Sequence, residues 1–149
     1  MSFKRQLIFW GPVLLWMAFI FWMSTGEFTT ENTSRFIEPF LRFLLPGAAP
    51  HTIVVIHGFI RKCGHVTEYF VLGLLLFRAF RGDSKDQTDW RWAAWAVVVL
   101  ILYASSDEFH QSFVPGRTAS PIDVGIDTVG GVIAQGVSML MNRRGLREA

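Results

Sequence analysis

YASSDEFHQSFVPGRTASPIDVGIDTVGG, residues Tyr103–Gly131, sets ionisable side chains inside the most apolar part of the chain. The residues before it, Trp90–Leu102, and around its end, Val129–Met141, are apolar enough to sit in lipid. Between them lie Asp107, Glu108, His110, Arg117, Asp123 and Asp127. A charge at mid-bilayer costs roughly 3 kcal/mol on insertion scales, so such groups normally face a protein interior and serve a function. The stretch therefore reads as two membrane helices that meet at a polar site.

Outward from this stretch the rest of the chain repeats the pattern. Its 149 residues amount to one domain by length, 51% of them are hydrophobic, and mean hydropathy is +0.34. The hydrophobicity is blocked into segments near the ~20 residues that a hydrocarbon core requires. We expect helices at about 7–23, 52–80, 90–106 and 121–141. The fold class is an all-α polytopic membrane protein, four transmembrane helices in a compact bundle forming a single domain, 1–149. Phe36–Leu45 is apolar at 36, 37, 40, 41, 44 and 45 with Arg35, Glu38 and Arg42 between, which suits a short helix lying in the interface. Ser24–Arg35 reads as a polar loop, and LPGAAP ends the short helix with Pro46, Gly47 and Pro50. At 1.5 Å per residue the 52–80 helix reaches about 43 Å, beyond the ~30 Å core, so one end must project or bend.

Lys4 and Arg5 precede the apolar run Leu7–Met23, which is longer than a signal-peptide core and is followed by MSTGE rather than a cleavage site. It is expected to stay as a signal anchor. If all four segments span, one side carries Lys4, Arg5, Arg78, Arg81, Lys85, Arg91, Arg143, Arg144 and Arg147, and the other Arg35, Arg42, Arg61, Lys62 and Arg117. The richer side should be cytoplasmic, which puts both termini inside a bacterial plasma (inner) membrane. Trp90, Trp92 and Trp95 would anchor that cytoplasmic interface. A net charge of +2 and a pI near 9.0 do not point to nucleic acid, because the basic residues flank apolar blocks instead of forming a stripe. The single cysteine, Cys63, rules out an internal disulfide and reads as a small packing residue.

Two helices carry charge at helical spacing. Arg61, His65 and Glu68 share a face, which Lys62 and Tyr69 overlap; Asp123 and Asp127 are one turn apart, and Gly130, Gly131 and Ala134 continue their stripe. Along their helices, Glu68 lies about 20 Å from Arg81, Asp107 about 24 Å from Arg91, and Asp127 about 21 Å from Met141. Three helices thus bring charges to one level. FVPGRTASP (Phe113–Pro121) reads as a tight turn at Pro115-Gly116 that presents Arg117 next to the acids. Three cations (Arg61, Lys62, Arg117) then face five carboxylates (Glu68, Asp107, Glu108, Asp123, Asp127), with His65 and His110 as titratable partners. His51 and His57 read as interfacial. Such an acidic excess must be offset by protonation, a metal ion or water.

RKCGHVTEYFVLGLLL (Arg61–Leu76) and YASSDEFHQSFVPGRTASPIDVGIDTVGG (Tyr103–Gly131) resemble the VanZ-like family of small bacterial membrane proteins. Its pattern is an R-K-x-x-H-x-x-E-Y block followed by S-D-E-x-H-Q-x-F-x-P-G-R and D-x-x-x-[DN]-x-x-G. The resemblance covers most of residues 61–134; Gly64 stands where the family often has Ala. It implies a link to glycopeptide resistance, through tolerance of teicoplanin, and brings no catalytic assignment.

Two functions fit the residues. In the first, an outward-facing site formed by Arg61, Lys62, His65, Glu68, Tyr69, Asp107, Glu108, His110, Gln111, Arg117, Asp123 and Asp127 binds an amphiphilic lipid, a lipid-linked cell-wall precursor or a glycopeptide. The cations hold phosphate or carboxylate and the acids take amines or hydroxyls. In the second, the protein is a membrane-embedded metal-dependent enzyme acting on a lipid-linked phosphate. Asp107, Glu108, Asp123 and Asp127, with His110 as a further candidate, would then hold Mg²⁺ or Mn²⁺, with catalytic candidates Glu68, Asp107, Glu108, His110, Asp123 and Asp127. No Gly-x-Ser-x-Gly, P-loop, H-E-x-x-H or cysteine nucleophile accompanies them. The expected partners are membrane lipids and an amphiphilic or lipid-linked ligand, with no nucleic acid. An ion or proton pathway would need a polar file through both halves of the bilayer, and the apolar cytoplasmic halves argue against one.

Overall fold

A computed structural model of the chain describes residues 3–84, 89–117 and 119–145. Lys85 and Arg147 from the orientation count lie outside the described residues, as does the side chain of Arg144. Among the described residues five α-helices follow one another: α1 (Phe3–Met23), α2 (Thr30–Leu44), α3 (Pro50–Arg81), α4 (Trp90–Gln111) and α5 (Pro121–Gly145), with a 3₁₀ turn at Gly26–Phe28. Four of them, α1, α3, α4 and α5, are long and apolar enough to cross a membrane. The fifth, α2, is short and amphipathic, with Phe36, Phe40 and Phe43 exposed along one face.

Three boundaries differ from expectation. The segment read as a polar loop, Ser24–Arg35, already holds the first turns of α2, because the Thr29 side chain caps the helix by accepting a hydrogen bond from the Asn32 N–H. The fourth helix runs on through Asp107, Glu108, His110 and Gln111 instead of ending near 106; its last turns are polar but buried and hydrogen-bonded, so they remain helical. The third helix spans 32 residues, about 48 Å, and is opened by Pro50 in its first turn, where no backbone donor is lost. Its excess length projects past the other helices and packs under α2.

The centre of the bundle is α3, which packs on α1, α4 and most extensively on α5. Val13, Ile20, Tyr69, Leu72, Leu76, Leu100 and Ala104 form its core. The α3–α5 contact is close because glycine permits it: a Cβ on Gly130 would strike the Val66 carbonyl, and one on Gly73 would meet Ala134. Outward, α1 presents Leu7, Leu14, Leu15, Phe21 and Trp22, and α4 presents Trp90 and Trp95, a surface suited to lipid rather than water. Cys63 is exposed on α3 rather than packed.

Candidate functional site

At the end of the bundle that carries the 24–49 connection, polar side chains from α2, α3, α4 and α5 converge with Ser24 and Arg117 from the connections. The turn at Pro115-Gly116 is built as expected. Val114 O accepts from Arg117 N at 3.1 Å, and Gly116 takes φ = 80°, a left-handed position that favours glycine. The turn brings Arg117 to the cavity that Glu68 lines, but among the described residues it forms no ion pair with an acid. Its Nη2 donates to Met23 O at 2.6 Å and reaches toward Thr25 O at 3.5 Å, while Nη1 contacts Gln111 Oε1 at 3.4 Å. The reason is the C-terminus of α1, whose free carbonyls and negative dipole end attract a guanidinium. Burial and the neighbouring Arg61 push the Arg117 guanidinium below its ordinary value, and it remains a cation.

Arg61 is held in the same manner. Its Nη1 donates to Phe28 O at 3.0 Å and Thr33 Oγ1 at 3.2 Å. Thr33 also contacts His57 Nε2 at 3.2 Å, so His57 is buried in contact with α2. Arg61 and Arg117 line one cavity of about 130 Å³ together with His65, Glu68, Met23 and Phe28. A second cleft of about 330 Å³, between α2, α3 and α5, shares Arg61, His65 and Arg117 and adds Lys62, Asp123 and Glu38. Among the described residues neither Arg61 nor Arg117 forms an ion pair with a carboxylate.

The acids have been divided among separate partners. Lys62 Nζ lies 2.8 Å from Asp123 Oδ1 in a half-exposed pair. Asp107 Oδ2 accepts from Ser24 Oγ at 2.8 Å and Gln111 Nε2 at 2.9 Å. Glu108 Oε2 accepts from the Ser120 N–H at 2.9 Å, at the mouth of α5. Asp127, fully buried, stands 3.4 Å from His65 Nδ1 without forming a hydrogen bond through either oxygen. Glu68 lines the cavity within electrostatic reach of His65, Asp127, Asp107 and Arg117. Tyr69 is fully buried among these carboxyls, its hydroxyl without a partner.

His110 is not brought in. Successive helix residues turn by 100°, so Asp107 faces Ser24 just after α1, Glu108 faces Ser120 just before α5, and His110 turns to the Phe21 ring, 4.5 Å between centroids. The proposed metal set fares similarly. Among the described residues no three His, Cys, Asp or Glu side chains converge as a cation requires, and Asp107, Glu108, Asp123 and Asp127 each serve a different neighbour. The carboxylates do not fit a divalent-metal centre. Ser24, Phe28, Thr33 and Gly64 line the site and escaped sequence reading. Only the Thr29–Asn32 cap pattern, which extends α2 backward, hinted at Thr33.

The chain matches the family model described as VanZ/LLP1 over residues 9–142, nearly its whole length. Neither a search of curated proteins nor one of solved structures returned a match. The chain belongs to the VanZ/LLP1 family and is a VanZ-like membrane protein.

Proposed function

We propose that this VanZ/LLP1-family membrane protein binds the anionic head of an amphiphile in the cavity between Arg61 and Arg117. The carrying observation is that two guanidiniums line one cavity and, among the described residues, no carboxylate is in ion-pair contact with either. Each spends its bonds on carbonyl or hydroxyl oxygens and keeps donors for a ligand, as a planar fork suited to phosphate or carboxylate does. Met23 and Phe28 on the same wall supply an apolar edge for the start of a chain.

Size narrows the ligand. Pockets for drug-sized molecules occupy roughly 300–1,000 Å³. A cavity of about 130 Å³ opening beside a cleft of about 330 Å³ suits the head of a lipid or lipid-linked cell-wall precursor, and not a whole glycopeptide. A link to teicoplanin tolerance, which the family name implies, would then run through the lipid-linked precursor. The excess of Lys and Arg on the side of both termini supports a cytoplasmic location for them in a bacterial plasma membrane, with the site facing outward.

The test is direct binding. Purified protein in detergent is titrated with dioctanoyl phosphatidic acid and, separately, with teicoplanin. Phosphatidic acid should bind and Arg61→Ala with Arg117→Ala should abolish it. Equal affinity of the double variant, or binding of teicoplanin alone, sinks this reading.

A further inference from the structure

We infer that this cavity is also a metal-free phosphoryl-transfer site, in which His65 is the nucleophile toward a lipid phosphate monoester, Asp127 orients it, and Glu68 carries the proton. The inference rests on the reading that Arg61 and Arg117 hold a phosphate. Four features combine. His65 lines the cavity, and its Nδ1 lies 3.4 Å from Asp127 Oδ1, so Nε2 is the ring nitrogen that this carboxylate does not engage. A neutral imidazole held at one nitrogen by a carboxylate is a nucleophile at the other. Asp127 is fully buried, and its ion-pair partner among the described residues is His65 at 3.4 Å, which places the carboxylate to orient that ring. Glu68 lines the same cavity as the two arginines and His65, which makes it the carboxyl placed to carry the proton. The cations supply the charge stabilisation for which a metal is otherwise recruited.

The chemistry balances with water as the only co-substrate. The His65 Nε2 lone pair attacks phosphorus; a P–N bond forms, the P–O bond to the lipid breaks, and the leaving oxygen takes the Glu68 proton. Water then attacks the phosphorus of the phosphohistidine and passes a proton to the Glu68 carboxylate. The P–N bond breaks with its electron pair returning to Nε2, and inorganic phosphate and a lipid alcohol have been formed.

The experiment uses the full chain in detergent with EDTA present, and three probes: dioctanoyl phosphatidic acid, farnesyl monophosphate and p-nitrophenyl phosphate. Phosphate release should be insensitive to EDTA. Alkaline quench followed by mass spectrometry should find a phosphoryl group on His65 in the unaltered protein. His65→Ala and His65→Gln should lose release by about 100-fold or more while phosphatidic acid still binds. Glu68→Gln should accumulate phosphohistidine from p-nitrophenyl phosphate, whose leaving group needs no acid. Asp127→Asn should lower kcat with KM unchanged, a split that a merely structural role would not give. Binding without release, release abolished by EDTA, or release retained in both His65 variants overturns the inference and leaves the binding site standing. Absence of binding overturns both.

Discussion

His65 Nδ1 and Asp127 Oδ1 lie 3.4 Å apart on α3 and α5, one turn from the point where Gly130 meets the Val66 carbonyl. A glycine therefore sets the distance between an imidazole and a buried carboxylate. Without a Cβ at Gly130 the helices close to backbone contact, and only then does a short side chain such as Asp bridge them.

Gly130→Ala should force α3 and α5 apart, because the obstacle is backbone and cannot rotate away. The expected loss is about 1–3 kcal/mol, the usual cost of overpacking. Gly125, with nothing within 4 Å, is the matched control on the same helix: Gly125→Ala should be neutral or stabilise by up to about 1 kcal/mol. Thermal unfolding in one detergent checks both. Equal melting temperatures for the two variants would contradict the close-approach account.

Asp107 joins α4 to the end of α1 through Ser24 and holds Gln111, which in turn contacts Arg117. Asp107→Leu leaves the Ser24 hydroxyl without its acceptor and takes from the Gln111 amide one of its two acceptors, and should cost about 2–3 kcal/mol. Asp107→Asn keeps a carbonyl oxygen for both donors and should cost distinctly less. Denaturation midpoints decide; identical losses would mean that the bonds are not what stabilises the junction.

Thr33 accepts from Arg61 and contacts His57, so it fastens α2 over the cavity. Thr33→Val removes these bonds with little change of volume and should release about 1 kcal/mol of local stability. Amides of residues 30–44 should exchange faster by hydrogen-exchange mass spectrometry, with those of α5 unaffected. Uniform exchange across the protein would place the clasp elsewhere.

Lys62 and Asp123 form a half-exposed pair, and such pairs contribute roughly 0–1 kcal/mol. Lys62→Ala should therefore reduce phosphatidic acid affinity less than Arg61→Ala does. The reverse ranking in equilibrium titration would move the anion site from the 130 Å³ cavity to the outer cleft.

Cys63 is the chain's one cysteine and is exposed beside the site, so it serves as a built-in reporter of orientation. A membrane-impermeant maleimide should label it from the outside of right-side-out vesicles. Labelling confined to inverted vesicles would reverse the orientation proposed above.

Much of the architecture was legible in the residues themselves. Four apolar blocks of membrane length become four helices because backbone groups in lipid can be satisfied only within the segment. The i, i+4 spacing of Asp123 and Asp127, and of Arg61 and His65, put each pair on one face, and the Pro115-Gly116 turn formed where expected. Helix ends were less legible: α4 outran its apolar stretch because tertiary partners satisfied its polar last turns. Period and transfer energy are local quantities, so a single chain read in order suffices for them.

Pairing was decided elsewhere. That Arg117 would bind the carbonyls of Met23 and Thr25 rather than a carboxylate, that His110 would turn to Phe21, and that Asp127 would meet His65 depend on how the helices rotate and how closely they approach. Those rotations are set by contacts such as Gly130 against Val66, between residues far apart in the chain. Composition and spacing assembled the charges at one end of a helical bundle; only packing in three dimensions chose which charge each would face.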